Sequence, residues 1–238
     1  MKQPKYKRVL LKLSGEALMG DQSFGIAPDM LAYVAEEIKK PHDNGVQLAI
    51  VVGGGNIFRG VKASSFGMER TSADHMGMLA TVINGLALRD MFEAMNKPCI
   101  LYSSLEMRAV ARPYNRREAL KELKEGSILI FAGGTGRSFF TTDTSAALSA
   151  LEMGCDAVIK ATNVDGVYSA NPNADPQAQR FDRITYQEVL ERNLRVMDLT
   201  AIALLMDHDL PLVVMNIHTT GSLARLVRGE QVGTLVSN

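Results

Sequence analysis

An α/β fold with a mostly parallel central sheet is predicted for this chain, on three observations. Apolar runs of strand length alternate with helical patterns from end to end. Glycine- or hydroxyl-rich turns follow four of those runs directly. The length, 238 residues, suits one α/β domain over residues 1–238, enough chain to bury roughly three-quarters of its unfolded surface. Strands that alternate with helices form a parallel sheet covered on both faces.

The elements follow in order. Val9–Leu13 is an apolar run after a basic start and reads as the first strand. Asp29–Lys40 carries Met30, Val34 and Ile38 at helical spacing, and Pro41 should end or kink that helix, since proline lacks the N–H a helix interior needs. Val46–Val52 is a buried strand with three glycines behind it. Ser72–Asn96 is a long helix whose stripe of Met76, Leu79, Ile83, Ala87 and Met91 keeps a 3.6-residue period. Met78, Val82 and Leu86 widen that face. Such a helix is buried on two sides, at a subunit interface or in the core. Strands are expected at Pro98–Tyr102, Ser127–Ala132, Asp156–Ala161, Pro211–Asn216 and Gly233–Val236, and helices at Arg116–Glu125, Asp143–Met153, Tyr186–Glu191, Asp198–His208 and Ser222–Arg228. The turn residues of Gly166–Pro176 suggest a hairpin.

Composition narrows the function. Lys plus Arg and Asp plus Glu are both 26, so the formal net charge is zero and sequence-independent nucleic-acid binding is disfavoured. The apolar run Val9–Leu13 behind the basic start is too short for a signal peptide or a membrane span. Cys99 and Cys155 lack metal-ligand spacing and read as buried, reduced thiols of a cytoplasmic protein.

The chemistry should lie at strand carboxyl ends, where open α/β sheets bind ligands. The four turns there are Lys12–Gly15, Gly53–Asn56, Gly133–Gly136 and Thr162–Gly166. Glycines let backbone N–H groups approach phosphate oxygens, and a following helix N-terminus adds a favourable dipole. The chain has neither the Gly-Lys-Ser/Thr loop of P-loop enzymes nor a dinucleotide fingerprint. Lys12 and Lys160 both end strands and would flank a migrating phosphoryl group, with Arg59 as a third, fork-shaped cation. Each has a plainer alternative, a solvated strand-end lysine or a surface arginine. Asp74 and Asp143 stand near helix starts and could simply cap them. Otherwise Asp74 would meet sugar hydroxyls, and Asp143 would orient the lysines or hold a metal. His42, His75, His208 and His218 are scattered, and only His75, beside Asp74, is expected near the site.

Taken together, KRVLLKLSGEA (Lys7–Ala17), GGGNIFRG (Gly53–Gly60), DHMGMLATVIN (Asp74–Asn84), TGRSFFTTD (Thr135–Asp143), KATNVDGVY (Lys160–Tyr168), VMDL (Val196–Leu199) and Gly233-Thr234-Leu235 resemble the amino-acid-kinase superfamily, and within it the bacterial uridylate kinases, over nearly the whole chain. The resemblance implies a three-layer α/β/α sandwich, a homohexamer, and Mg2+-dependent transfer from ATP to UMP. It implies catalytic roles for Lys12, Arg59, Asp143 and Lys160. It places ATP on Lys12, Leu13, Ser14, Gly15, Gly55, Arg59, Thr162, Asn163, Tyr168 and Asn171. It places UMP on Gly54, Asp74, Thr135, Gly136, Arg137, Ser138, Phe139, Phe140, Thr141 and Thr142. No protein ligand to the metal is assigned. Gly20, Asp21, Gln22, Ser23, Phe24 and Gly25 resemble a segment implicated in activation by GTP and inhibition by UTP. The chain departs from the pattern at Arg137-Ser138, where Asn-Pro is usual, at Asn171, where Asp is usual, and at Pro41, where an apolar residue is usual. Two other readings stay open: a kinase for an amino-acid carboxylate or carbamate on the same fold, and a nucleotide sensor without catalysis.

Overall fold

The structure, a computed structural model, describes residues 4–58, 67–172, 174–175 and 177–238. In chain order the elements are β1 (Arg8–Leu13), a 3-10 turn at Gly15–Leu18, α1 (Pro28–Asp43), β2 (Gln47–Val52), α2 (Arg70–Ala94), β3 (Cys99–Ser103), β4 (Arg112–Pro113), α3 (Arg116–Lys124), β5 (Ile128–Ala132), α4 (Thr142–Met153), β6 (Ala157–Thr162), β7 (Val167–Tyr168), β8 (Arg180–Phe181), β9 (Arg183–Thr185), α5 (Tyr186–Glu191), α6 (Leu199–Asp207), β10 (Leu212–Asn216), α7 (Ser222–Val227) and β11 (Thr234–Ser237).

Nine strands form one sheet in the order β4-β3-β5-β2-β1-β6-β10-β11-β9. Every neighbouring pair is parallel except β10 with β11. Side chains of β1 alternate between two cores. Val9, Leu11 and Leu13 pack with residues of α1, α2 and α7, and Leu10 packs with residues of α3, α4 and α6. This is the expected three-layer α/β/α arrangement. Strand β1 has β2 on one side and β6 on the other, so the chain changes direction across it, and a crevice opens at the strand ends there.

Some boundaries differ from the sequence reading. Helix α1 begins at Pro28, where proline's missing N–H is no loss, and it continues through Pro41 to Asp43 instead of stopping. Pro41 falls in the last turn, so it removes one hydrogen bond near an end that would fray anyway, and its carbonyl still accepts from Asn44 and Val46. Helix α2 starts at Arg70, two residues early, because the Glu69 carboxylate accepts from Thr71 N and Ser72 N. Its core side is Met78, Val82, Leu88 and Phe92, while Met76, Leu79 and Ile83 of the expected stripe point outward at 41, 45 and 49 % exposure. The hairpin exists as β7 with β8, its second strand lying beyond the expected window. Cys99 and Cys155 are both unpaired and buried, and burial pushes each thiol up to about 12. Among the described residues no helix is long and apolar enough to cross a membrane.

Candidate active site

The two strand-end lysines meet because of register. Strands β1 and β6 are parallel neighbours with Lys12 opposite Lys160, so both side chains leave the same face of the sheet. That face is covered by α4, whose first turn supplies Asp143. Asp143 bridges the lysines, with Lys12 Nζ 2.7 Å from Oδ1 and Lys160 Nζ 3.0 Å from Oδ2. Lys160 also donates to the Val196 carbonyl. Lys12 is only 8 % exposed, so it is no solvated strand-end lysine. Asp143 is no helix cap either, since Thr141 Oγ1 caps α4 by accepting from Asp143 N. Burial pushes the Asp143 carboxyl up, but the ammonium groups of Lys12 and Lys160 together outweigh it and hold it below the ordinary carboxylate range. Burial draws Lys160 down, against the opposing pull of Asp143. A carboxylate between two cations leaves one net positive charge at the crevice mouth, a seat for phosphate oxygens.

Clefts open on either side. The larger, about 600 Å3, is lined by Lys160, Thr162, Tyr168, Asn171, Leu194 and Val196, among others. Tyr168 is thus a wall residue and not a core tyrosine, with its hydroxyl bonded to Asp165. Asn163 follows the end of β6, its side chain 3.0 Å from His218 Nε2. His218, then, and not only His75, stands beside a candidate residue.

The smaller cleft, about 250 Å3, is lined by Gly54, Gly55, Asp74, Phe140, Thr141 and Thr142, among others. Gly54 is required by close approach, because a Cβ there would lie 2.8 Å from the Ala80 Cβ and from the Gly77 carbonyl. Asp74 sits one turn inside α2. Its carboxylate accepts from Arg70 Nε at 2.9 and 3.0 Å and from Phe139 N at 2.8 Å. Capping of α2 belongs to Glu69, so Asp74 ties the helix to the 135–142 loop instead. Phe139 has φ 73°, rare for a side chain of its size, and its exposed ring lies under the Arg70 guanidinium. Thr135 Oγ1 accepts from Arg137 N and donates to Arg137 O, a local turn that includes Gly136. Arg137 is exposed and Ser138 half-buried. Leu13, Ser14 and Gly15 run from β1 across to the 53–56 turn.

Arg59 lies outside the described residues. Asp21, Gln22, Ser23 and Phe24 are exposed, and the segment from Gly20 to Gly25 meets the 53–56 turn where Gly25 and Asn56 exchange hydrogen bonds.

Asp198 was missed by the sequence reading. Its carboxylate accepts from Thr141 Oγ1, Thr144 N and Thr144 Oγ1, and caps α6 through Ala201 N. It therefore locks the first turn of α4, and so Asp143, in place. Its signal was present in the VMDL stretch as an acid just before an apolar helix. Arg70, four residues before Asp74 on one helix face, was also legible. Thr81, whose Oγ1 accepts from Gly133 N at 2.7 Å, carried no such signal.

Comparison with known proteins agrees with this geometry. The amino acid kinase family model matches residues 7–216. A uridylate kinase of Limosilactobacillus reuteri is 53 % identical over 233 residues, covering 98 % of this chain and 97 % of the relative. One from Ectopseudomonas mendocina is 54 % identical over 235 residues, covering 99 and 95 %. Among solved structures, UMP kinase from Bacillus anthracis superposes with a TM-score of 0.94 at 40 % identity, covering 98 % of this chain and 96 % of the other. Uridylate kinase from Archaeoglobus fulgidus gives 0.73 at 28 % identity, covering 96 and 99 %. With family-model agreement over most of its length and full-length relatives at this identity, the chain belongs to the uridylate kinases of the amino acid kinase family.

Proposed function

We propose that this chain transfers the γ-phosphoryl group of ATP directly to the α-phosphate of UMP, giving UDP for pyrimidine nucleotide synthesis in the cytoplasm, with residues 1–238 acting as one domain. The observation that carries the reading is the Lys12–Asp143–Lys160 bridge between two clefts of unequal size. The larger cleft suits a nucleoside triphosphate, with Thr162, Asn163, Tyr168 and Asn171 at the adenine end and Lys12–Gly15 with Gly55 along the phosphates. The smaller suits UMP, with Asp74 at the ribose, Gly54 facing the nucleotide, and Thr135–Thr142 as the acceptor loop near the uracil and phosphate. Arg59 would add a cation to the transferring group.

Phosphoryl transfer needs positioning and charge neutralisation more than covalent help. The acceptor phosphate is already anionic, so no strong general base is required. Lys12 and Lys160 would follow charge onto the equatorial oxygens, while Asp143 keeps both ammonium groups aimed. A kinase using ATP works on a divalent-metal complex, here Mg2+. Among the described residues no three His, Cys, Asp or Glu side chains converge; the ion would be carried by the nucleotide phosphates, with Asp143 as the nearby carboxylate. When bound, the ion would neutralise phosphate charge. The outward Met76, Leu79 and Ile83 face supports a homo-oligomer, a hexamer by family resemblance, and the 20–25 segment is the candidate for response to GTP and UTP.

The test is ADP release with Mg-ATP across UMP, CMP, dUMP, AMP, N-acetylglutamate, aspartate and carbamate. Turnover confined to UMP is expected. Turnover with an amino acid or carbamate would discard the nucleotide acceptor, and silence with UTP still binding would favour a sensor.

A further inference from the structure

Helix α2 is apolar for most of its length, yet it buries an asparagine. Asn84 is 0 % and Asn56 2 % exposed, and their side chains face each other. Asn84 Nδ2 donates to Asn56 Oδ1 at 2.7 Å, and Asn56 Nδ2 donates back to Asn84 Oδ1 at 3.0 Å. Each amide has one more hydrogen to place. Asn84 gives its second to the Gly53 carbonyl at 2.7 Å, and Asn56 gives its second to the Gly25 carbonyl at 2.9 Å. The Asn56 carbonyl in turn accepts from Gly25 N at 2.8 Å. All four amide hydrogens are used, so the pair defines one arrangement of the segments it touches.

Those segments belong to the site. A Cβ on Gly15 would lie 2.4 Å from Asn56 Oδ1 and 2.7 Å from the Gly53 carbonyl, so the Ser14–Gly15 turn rests directly on this pair and on the 53–55 turn. An apolar pair of the same shape would leave the Gly25 and Gly53 carbonyls without these donors, so the two amides tie both turns to the core rather than merely filling it.

We propose that Asn56 and Asn84 are positioning residues that set the approach of the donor-side turn (Ser14–Gly15) to the acceptor-side turn (Gly53–Gly55), and that they link the 20–25 segment to both. The proposal rests on the kinase reading for its activity arm only. Neither side chain needs to touch a substrate. A relative displacement of donor and acceptor slows the transfer step more than it weakens either binding step.

The experiment compares wild type with Asn84→Ala and the near-isosteric Asn84→Asp, which keeps the acceptor toward Asn56 Nδ2 and removes the donors to Gly53 O and Asn56 Oδ1. Steady-state ADP release should show kcat lowered at least about 10-fold, with KM for ATP and UMP within about threefold of wild type. Amide exchange in residues 20–25 should quicken about fivefold or more, although Asn84 reaches that segment only through Asn56. A lower melting temperature with unchanged kcat would make the pair merely structural and overturn the positioning role. Unchanged exchange at 20–25 would overturn the link. If Asn84→Ala does not fold, Asn84→Asp carries both readouts. A wild type silent in ADP release would sink the kinase reading, and the exchange arm would still decide the link.

Discussion

Replacing Asp143 by Asn removes one charge and keeps nearly the same shape. The carboxylate lies 2.7 and 3.0 Å from two ammonium nitrogens, and its side chain is 14 % exposed. At an effective dielectric of about 20, each contact is worth about 6 kcal/mol of gross attraction. Most of that is offset by the desolvation of three charged groups. What remains on removing one partner of a buried bridge is about 3–5 kcal/mol of stability. For a chain of this length that is a fall in melting temperature of roughly 10 °C. The variant also leaves two neighbouring lysines without their shared counter-charge, and triphosphate oxygens should partly replace it. ATP alone should therefore raise the melting temperature of Asp143→Asn more than that of wild type. Turnover should still fall by about 10²-fold, because the lysines are no longer aimed. Thermal melts with and without ATP, beside ADP release, measure all three quantities. Equal ATP-induced shifts would refute the idea that phosphates sit on this lysine pair, and near-normal turnover would remove Asp143 from the mechanism.

Other expectations follow from the same geometry. The depressed Asp143 carboxyl contributes stability that is present above its unfolded value of 3.8 and is lost as pH falls through the lower folded value; acid unfolding monitored by circular dichroism should lose part of this branch in Asp143→Asn. Asp198→Ala removes the cap of α6 and the anchor of Thr141 and Thr144, and should cost about 1–3 kcal/mol while raising the UMP KM; a variant with wild-type melting and kinetics would show the anchor to be dispensable. Ile83→Asp on the outward face of α2 should lower the assembly mass in light scattering, and an unchanged mass would place the subunit contact elsewhere. Arg137-Ser138→Asn-Pro should stiffen the acceptor loop and change the UMP KM with the ATP KM unmoved; a change confined to ATP would contradict the loop's assignment. Cys99 and Cys155 should resist thiol reagents until unfolding, since burial holds both in the thiol form at neutral pH.

The sequence by itself determined the fold class and the uridylate kinase family. Short continuous apolar runs such as Leu48–Val52, bounded by turn residues, suit strands covered on both faces, and glycine- or hydroxyl-rich turns after four such runs mark where ligands approach. Lys12, Asp143 and Lys160 were legible because each stands at a strand end or a helix start. Tertiary structure alone decided how they combine. The register of Lys12 opposite Lys160, and the passage of α4 over that face, turn three separate residues into one bridge; register is a long-range property that no local pattern carries. The same holds for α2. Its 3.6-residue period was visible, but which side faces the core depended on Gly85 and Asn84 meeting β3 and the 53–56 turn, so of the expected stripe Met76, Leu79 and Ile83 point outward while Ala87 and Met91 pack against the core. Pro41 shows the reverse case, in which a local rule gave way: one missing hydrogen bond in a last turn is small beside the packing of Val34, Ala35 and Ile38. Asp198 and the Asn56–Asn84 pair went unread because their meaning lies in partners far away in sequence, and only packing brings those partners within 3 Å or so.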